Sequence, residues 1–225
     1  MSLYFWIDLL SISVPLLVSF HPRLPLYKEW RVLFLVLIVS LIPYIIWDVY
    51  FTVSGYWGFN EVYLSGISFL HLPIEEWLFF ISIPYACVFT HFSLLELNPK
   101  IKLGENVTKY ITYGLLLFFV ILGGINYDKA YTLVDSAFAF VILLGVWRFN
   151  KGLLRSYYLT FLVMLIPFFI VNGILTGTGI EDQVVWYNDN ENLGIRLGTI
   201  PVEDTIYAFS LILLNLFLFV RFRKN

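Results

Sequence analysis

Charged residues are scarce in this chain: Asp, Glu, Lys and Arg together make up 13% of its 225 residues. Hydrophobic residues make up 60%, and the mean hydropathy is +0.81. Soluble globular domains are nearer to one quarter charged, so the composition excludes an ordinary water-soluble domain. The net charge of −2 also argues against a nucleic-acid partner.

The residue patterns that mark disulfides, metals and nucleotide cofactors are missing as well. Cys87 is the only cysteine, which excludes an internal disulfide. His21, His71 and His91 stand far apart and form no familiar metal-ligand spacing with the acids. The Gly-Thr-Gly sequence at 177–179 lacks the third glycine and the preceding strand of a dinucleotide fingerprint. We therefore predict a protein that works without a metal ion and without a cofactor.

Long apolar runs, by contrast, are abundant. Seven of them approach the about 20 residues that an α-helix needs to cross a bilayer. They lie at 3–20, 32–53, 73–92, 110–127, 130–147, 157–178 and 201–220. The first begins at Leu3 with no basic residue before it, which indicates a retained helix and not a cleavable signal peptide. None shows the alternating period of a barrel strand. The sequence thus predicts an all-α integral membrane protein with seven transmembrane helices.

Basic residues lie almost entirely on one side of the predicted helices. Of the 14 Lys and Arg residues, 12 fall in the loops after the first, third and fifth helices or in the C-terminal tail, which includes Lys224. Lys129 and Arg196 are the two exceptions. The positive-inside rule then places the N-terminus outside and the C-terminus in the cytoplasm. We expect a multi-pass protein of the cell membrane, of the kind found in a bacterial inner membrane.

Three short motifs occur twice in the same order, which indicates an internal repeat. The matching segments are 4–8 with 131–135, 42–55 with 166–179, and 73–76 with 201–204. We predict a first three-helix unit at 1–96, a connecting loop and linker helix at 97–129, and a second three-helix unit at 130–225. The linker helix returns the chain to the starting side, because three helices are an odd number. The two units should therefore be parallel, about a pseudo-twofold axis along the membrane normal.

The repeat gathers eight polar positions, seven of them acidic, at one predicted depth near the outer surface. They are Asp8, Asp48, Glu75, Glu76, Asp135, Asn172, Glu203 and Asp204. A charged carboxylate at the centre of a membrane helix costs roughly 2.5–3.5 kcal/mol on insertion scales, and such residues usually face the bundle interior and mark a functional path.

These positions can also be interpreted as having purely structural roles. A proline followed by acids, as after Pro73 and Pro201, is a common helix start. The acids of the first and fifth helices can be interfacial residues that reach towards water. Asp48 and Asn172 can form hydrogen bonds between helices. Because the acidic pair occurs in both units, we favour a functional interpretation for 75–76 and 203–204.

At these two acidic motifs the sequence resembles a known family. Pro-Ile-Glu-Glu at 73–76 and Pro-Val-Glu-Asp at 201–204 are similar to the paired motifs of the membrane-integral lycopene cyclases. The resemblance extends over nearly the whole chain and is to the fused, single-chain form of the family. It implies closure of the acyclic ends of lycopene to β-rings, without a flavin. The expected partners are lycopene, or a related acyclic carotenoid, and membrane lipid.

The chemistry of ring closure fits these residues independently. It is a net isomerisation that needs an acid, a dry pocket for a carbocation and a base. Neighbouring carboxyls can supply both roles if their surroundings differ, and aromatic faces stabilise desolvated cations by about 2 kcal/mol or more. The predicted catalytic residues are Glu75, Glu76, Glu203 and Asp204. The predicted substrate-binding or tuning residues are Asp8, Asp48, Asp135, Asn172, Pro73 and Pro201.

Two other functions share part of this pattern. Parallel repeats of three helices, joined by one more, are also the plan of small sugar exporters, so a small-substrate transporter is the alternative. Transporter sites are expected near the bilayer midplane, however, whereas these acids are predicted in the outer part. A non-catalytic carotenoid-binding protein would explain an apolar cavity but gives no reason for clustered carboxyls.

Overall fold

The computed structural model describes residues 2–223, so Lys224 of the predicted basic tail lies outside the described residues. Within 2–223 the chain forms seven α-helices, which agrees with the predicted all-α class. They are α1 (Leu3–Val18), α2 (Trp30–Ser54), α3 (Ile74–Leu97), α4 (Glu105–Ile125), α5 (Ala130–Phe149), α6 (Lys151–Leu175) and α7 (Val202–Arg223). Two short 3-10 helices lie at Leu26–Glu29 and Glu61–Tyr63.

Six of these helices, α2 to α7, are long and apolar enough to cross a membrane. This agrees with the predicted class of integral membrane protein. The first helix has 16 residues, or about 24 Å at 1.5 Å per residue, against about 30 Å of hydrocarbon. It is shorter than the predicted span 3–20, since Pro22 disfavours a helical conformation at the residue before it and the chain turns after Val18.

Three two-stranded antiparallel ribbons, which the sequence analysis did not predict, cover one end of the helix bundle. β1 (Trp57–Phe59) pairs with β4 (Val185–Tyr187). β2 (Ser68–Phe69) and β3 (Leu72–Pro73) form a hairpin that leads into α3. β5 (Arg196–Leu197) and β6 (Ile200–Pro201) form a hairpin that leads into α7. We call this end of the bundle the ribbon end.

A glycine turns the chain from α2 into the first ribbon. Gly55 has a φ of +72°, in the left-handed region that favours glycine, and its N–H donates to the carbonyls of Phe51 and Thr52. The helix therefore stops there, and Trp57 follows two residues later in β1.

Proline and acids set where α3 and α7 begin. Pro73 is the N-cap of α3, with φ −63°, and its missing N–H removes no helical hydrogen bond at that position. Pro201 precedes α7 in the same way. Negative charge is favourable in the first turn of a helix. The first turns carry Glu75 and Glu76 in α3, and Glu203 and Asp204 in α7.

Helices α3 and α7 form the centre of the bundle. The third helix packs against α1, α2, α6 and α7, and the seventh packs against α2, α3, α5 and α6. The fourth helix packs mainly against α5, at the periphery. Because both central helices start at the ribbon end, all four carboxyls of their first turns lie at the same end of the molecule.

Candidate functional site

A long cavity runs into the bundle from the ribbon end, with walls contributed by α1, α3, α6 and α7. Its empty volume, which includes space open to solvent, is about 1220 Å³. Along α3 its wall extends from Glu76 to Thr90, about 21 Å of helix at 1.5 Å per residue. The walls are mostly apolar. This shape suits an extended apolar ligand.

The carboxyl and amide side chains that line the cavity lie at its ribbon end. They are Asp48, Glu76, Asn172 and Asp204, one each from α2, α3, α6 and α7. The chain thus brings acids from distant parts of the sequence to one end of a single apolar cavity, where all three are buried.

Asp204 is held by three donors. Tyr131 Oη donates to Asp204 Oδ1 at 2.6 Å, and Tyr187 Oη and Asn172 Nδ2 donate to Asp204 Oδ2 at 3.0 and 3.2 Å. Burial, and then the neighbouring Asp204 carboxyl, raise the pKa of Tyr187 in β4 well above its usual value, so its hydroxyl stays a donor. Three donors suit a negatively charged carboxylate.

Glu76 has fewer partners. Tyr4 Oη donates to Glu76 Oε2 at 2.6 Å, which is the counterpart of the contact between Tyr131 and Asp204. Asp48, which shares the cavity wall, accepts a hydrogen bond from Trp57 Nε1 at its Oδ1 (2.7 Å). Its Oδ2 is buried and has no hydrogen-bond partner among residues 2–223. Thr52 Oγ1 also donates to Asp48 Oδ1, at 3.4 Å. Glu76 thus has one donor, whereas Asp204 has three.

Glu75 and Glu203 do not line the cavity as the described residues form it, and both side chains are fully buried. Each accepts two hydrogen bonds at Oε1. One comes from a hydroxyl at the start of α1 or α5, and the other comes from a backbone N–H of a loop. The donors are Ser2 Oγ (2.6 Å) and Ser65 N–H (2.7 Å) for Glu75, and Thr132 Oγ1 (2.7 Å) and Leu193 N–H (2.8 Å) for Glu203. These contacts fix the start of α3 and α7 against the neighbouring helix and loop.

Asp8 and Asp135 are buried one helical turn from Tyr4 and Tyr131. In both, neither carboxyl oxygen has a hydrogen-bond partner within the described chain. Their burial does not fit the interpretation as interfacial acids that reach water. A buried polar group without a partner is costly, so these two positions are the least satisfied acids of the bundle.

Of the ten predicted site residues, the structure places four on the cavity wall and six around it. Those on the wall are Asp48, Glu76, Asn172 and Asp204; those around it are Asp8, Pro73, Glu75, Asp135, Pro201 and Glu203. Within residues 2–223, no group of three His, Cys, Asp or Glu side chains is arranged to hold a metal ion.

Four site residues were not among the sequence predictions. Tyr4 and Tyr131 hold the two cavity carboxyls, and both stand at the same position of the repeated motif, four residues before an aspartate. The tyrosine shared by the two matched segments could therefore have been used to predict these site residues. Trp57 and Tyr187 pair across β1 and β4 above the carboxyls, and no pattern in the sequence connects them.

Comparison with known proteins adds the family context. A family model described as lycopene cyclase matches residues 1–94 and 128–222. The first stretch contains most of α1 to α3 and the second α5 to α7, each with one acidic motif. No curated protein and no solved structure gives a significant match. The family match supports carotenoid cyclisation and gives no support to the transporter alternative.

Proposed function

The chain belongs to the lycopene cyclase family, and we propose that it converts the acyclic ends of lycopene, or of a related acyclic carotenoid, into β-rings. One observation carries this proposal: Glu76 and Asp204 are buried together at the ribbon end of one long apolar cavity. A hydrocarbon can occupy the apolar length while its terminal alkene lies at the carboxyls.

The reaction balances within the substrate and two protein carboxyls. A carboxylic acid adds a proton to the terminal double bond and leaves a tertiary carbocation. The π electrons of the internal double bond attack this centre, which forms the ring bond and moves the positive charge to a ring carbon. A carboxylate then removes a proton from the adjacent carbon, and the ring double bond forms. One proton is added and one is lost, so no oxidant or reductant is needed.

We assign Glu76 as the proton donor and Asp204 as the base. Glu76 accepts one hydrogen bond, from Tyr4, and shares the cavity wall with Asp48. Asp204 accepts three hydrogen bonds, which stabilise a carboxylate. Two acids in unlike surroundings are the arrangement that lets one donate and the other accept a proton. The first unit also has the additional acid Asp48, at the position where the second unit has the amide Asn172.

Aromatic rings near the carboxyls suit the carbocation. Trp57, Phe79, Tyr131, Tyr187 and Tyr207 line the cavity. Aromatic faces attract a desolvated cation by about 2 kcal/mol or more. The ribbon of β1 and β4, which contains Trp57 and Tyr187, covers this end of the cavity. The same rings therefore stabilise the intermediate and protect it from capture by water.

The other predicted site residues become positioning residues in this proposal. Glu75 and Glu203 hold the first turns of α3 and α7, and thereby set the direction of the adjacent Glu76 and Asp204. Pro73 and Pro201 set where those turns begin. Asn172 orients Asp204 through its amide. The buried, unpartnered Asp8 and Asp135 lie beside the tyrosines that contact the reacting pair, where they tune its environment.

The proposal includes a parallel repeat and a sidedness. Tyr4 with Glu76 and Tyr131 with Asp204 make the same 2.6 Å contact at matched positions of the two units, which supports units at 1–96 and 130–225 around a shared site. The basic loops then face the cytoplasm, and the ribbon end faces outward in the cell membrane. No flavin, nicotinamide or metal enters the reaction.

The test is expression in cells that accumulate lycopene, followed by chromatography of the extracted pigments. We expect β-ring carotenoids. Purified protein in lipid should form the same products without added flavin, nicotinamide or metal. Unchanged lycopene despite normal protein levels would contradict the proposal, and strict dependence on reduced flavin would contradict this mechanism.

A further inference from the structure

The two units differ in how tightly their equivalent helices pack. The long part of the cavity lies along α1, α3 and α6, whose counterparts by the repeat are α5, α7 and α2. The motif alignment pairs residues 4–8 with 131–135 and 42–55 with 166–179. Continued along the same helices, it pairs Ser11 with Phe138 and Val171 with Trp47. Ser11 and Val171, which line the cavity, are thus smaller than their counterparts Phe138 and Trp47.

The equivalent place is filled by an aromatic plug made of Tyr44, Trp47 and Phe138, which packs against Tyr207 of the cavity wall. The ring centroid of Trp47 lies 4.9 Å from those of both Phe138 and Tyr207, and that of Tyr44 lies 5.5 Å from Phe138. Tyr44 Oη also shares a 2.8 Å hydrogen bond with Ser210 Oγ. Trp47 and Tyr44 are buried. These contacts leave little room for a ligand between α2, α5 and α7.

The size difference continues away from the carboxyls. Ala86 and Thr90 line the deeper cavity on α3, and the alignment of 73–76 with 201–204 pairs them with Leu214 and Leu218 on α7. The open side therefore has the smaller residue at each of these matched positions. The result is one apolar arm, which we define by its wall residues Ser11, Ala86, Cys87, Thr90 and Val171.

We propose that this arm is the subsite for the hydrocarbon tail of the substrate, and that Ser11 and Val171 are specificity-determining residues that keep it open. The inference rests on the proposed function. Glu76 and Asp204 serve one arm, since the plug closes the equivalent place in the other unit. A symmetric substrate with two reactive ends must therefore present them one after the other, and leave the site in between.

The first test fills the arm with the residues that fill the plug. The variants are Ser11→Phe and Val171→Trp, each copied from the equivalent position of the other unit. Their controls are Leu10→Phe and Ile170→Trp, at adjacent positions that are 66% and 61% exposed on the lipid-facing surface. We expect the arm variants to lose about tenfold or more in kcat/KM, mostly through KM, because misfit in an apolar pocket costs binding. The controls should remain near wild type.

The second test probes the deep end of the arm. Ala86→Leu and Thr90→Leu copy the residues of α7, and both lie far from the carboxyls along α3. We expect them to weaken turnover of lycopene but to spare a shorter acyclic isoprenoid that carries the same end group. Equal loss for both substrates would overturn the placement of the tail in this arm. If one arm variant fails to give folded protein in detergent, the remaining three carry the comparison.

A time course with purified wild-type protein tests the order of the two ring closures. We expect the one-ring product to appear free in the lipid before the two-ring product. Direct formation of the two-ring product, with no free one-ring product at any time, would overturn the single-arm proposal.

Binding separates this inference from the proposed function. Lycopene retained on the purified protein is measured by its absorbance per protein. If wild type forms rings, Ser11→Phe and Val171→Trp match their controls, and Ala86→Leu and Thr90→Leu match wild type, the tail arm is wrong and the cyclase function stands. If wild type forms no rings but retains lycopene, and Ser11→Phe abolishes retention, the tail arm stands and the cyclase function is wrong.

Discussion

The carboxyls of Glu76 and Asp204 are held by the same scaffold but lie in different surroundings. In each unit a tyrosine near the start of the first helix donates to the cavity carboxyl at 2.6 Å. Asp204 has two further donors, from Tyr187 and Asn172. Asp48 takes the position equivalent to Asn172 and supplies an acceptor where the second unit supplies a donor.

Under the proposed mechanism, this difference explains how two copies of a repeated unit can perform two unlike steps. The shared contacts fix both carboxyls at the same end of one cavity, and a single exchange of carboxylate for amide changes what each carboxyl meets. An acid and a base can thus be obtained from two copies of one helix start, with the copies diverging at the neighbouring residue.

The largest expected effect comes from removing either reacting carboxyl. We expect Glu76→Gln and Asp204→Asn each to lower ring formation by about 10²-fold or more, the usual size of a general acid or base contribution. Pigment chromatography from lycopene-accumulating cells measures this loss, with protein levels checked in the membrane fraction. The control is Glu61→Gln, at an exposed acid of the ribbon-end loop. Near-normal product from either variant would remove that residue from the mechanism.

Exchanging Asp48 and Asn172 tests whether the roles of acid and base are fixed to Glu76 and Asp204. Asp48→Asn combined with Asn172→Asp keeps the composition but reverses the surroundings of the two carboxyls. Asp204 loses the amide donor at 3.2 Å and gains a like charge, and hydrogen bonds to charged groups contribute about 1.5–3 kcal/mol. We expect kcat to fall by about 10- to 100-fold. A double variant as active as wild type would mean that the roles are interchangeable.

We expect Tyr4 and Tyr131 to contribute unequally to the rate of ring formation. Tyr4 is the donor observed for Glu76, whereas Tyr131 is one of three for Asp204. We therefore expect Tyr4→Phe to reduce kcat by about tenfold, because Tyr4 stabilises Glu76 as it becomes a carboxylate on losing its proton, and a hydrogen bond to a charged group contributes about 1.5–3 kcal/mol. Tyr131→Phe should reduce kcat by only a few fold, since Asp204 keeps two other donors. Steady-state kinetics on the two purified variants measure the difference. The reverse order would contradict the assignment of donor and base.

The smallest effect on activity is expected at the buried pair behind the cavity. Glu75→Gln and Glu203→Gln keep an acceptor oxygen but weaken two hydrogen bonds each. We expect both to lower the thermal unfolding midpoint in detergent by a similar amount, while ring formation stays within a few fold. Loss of activity at an unchanged midpoint would instead move these carboxyls into the reaction itself.

The helices could be predicted because each is a long apolar run. Each of α2 to α7 overlaps its predicted span over most of its length. The ribbons could not, since strands of two or three residues show no period. Pro73 and the first turn after it were visible as a motif. The sequence did not show which of Glu75 and Glu76 faces the cavity. Consecutive residues point about 100° apart on a helix, and only packing against the neighbouring helices sets the rotation of α3.

The cross-paired ribbon has a consequence for how the protein is made. Trp57 in β1 meets Tyr187 in β4, a separation of 187 − 57 = 130 residues. At about 5–20 residues per second of synthesis, the second strand emerges roughly 7 to 26 s after the first. The third helix ends at Leu97, 40 residues after Trp57, so for most of that interval the helices of the proposed first unit are complete while the ribbon of β1 and β4 cannot yet form. Maturation of the site therefore depends on a late step of synthesis, and a ribosome that stalls between the two strands leaves an inserted but incomplete protein.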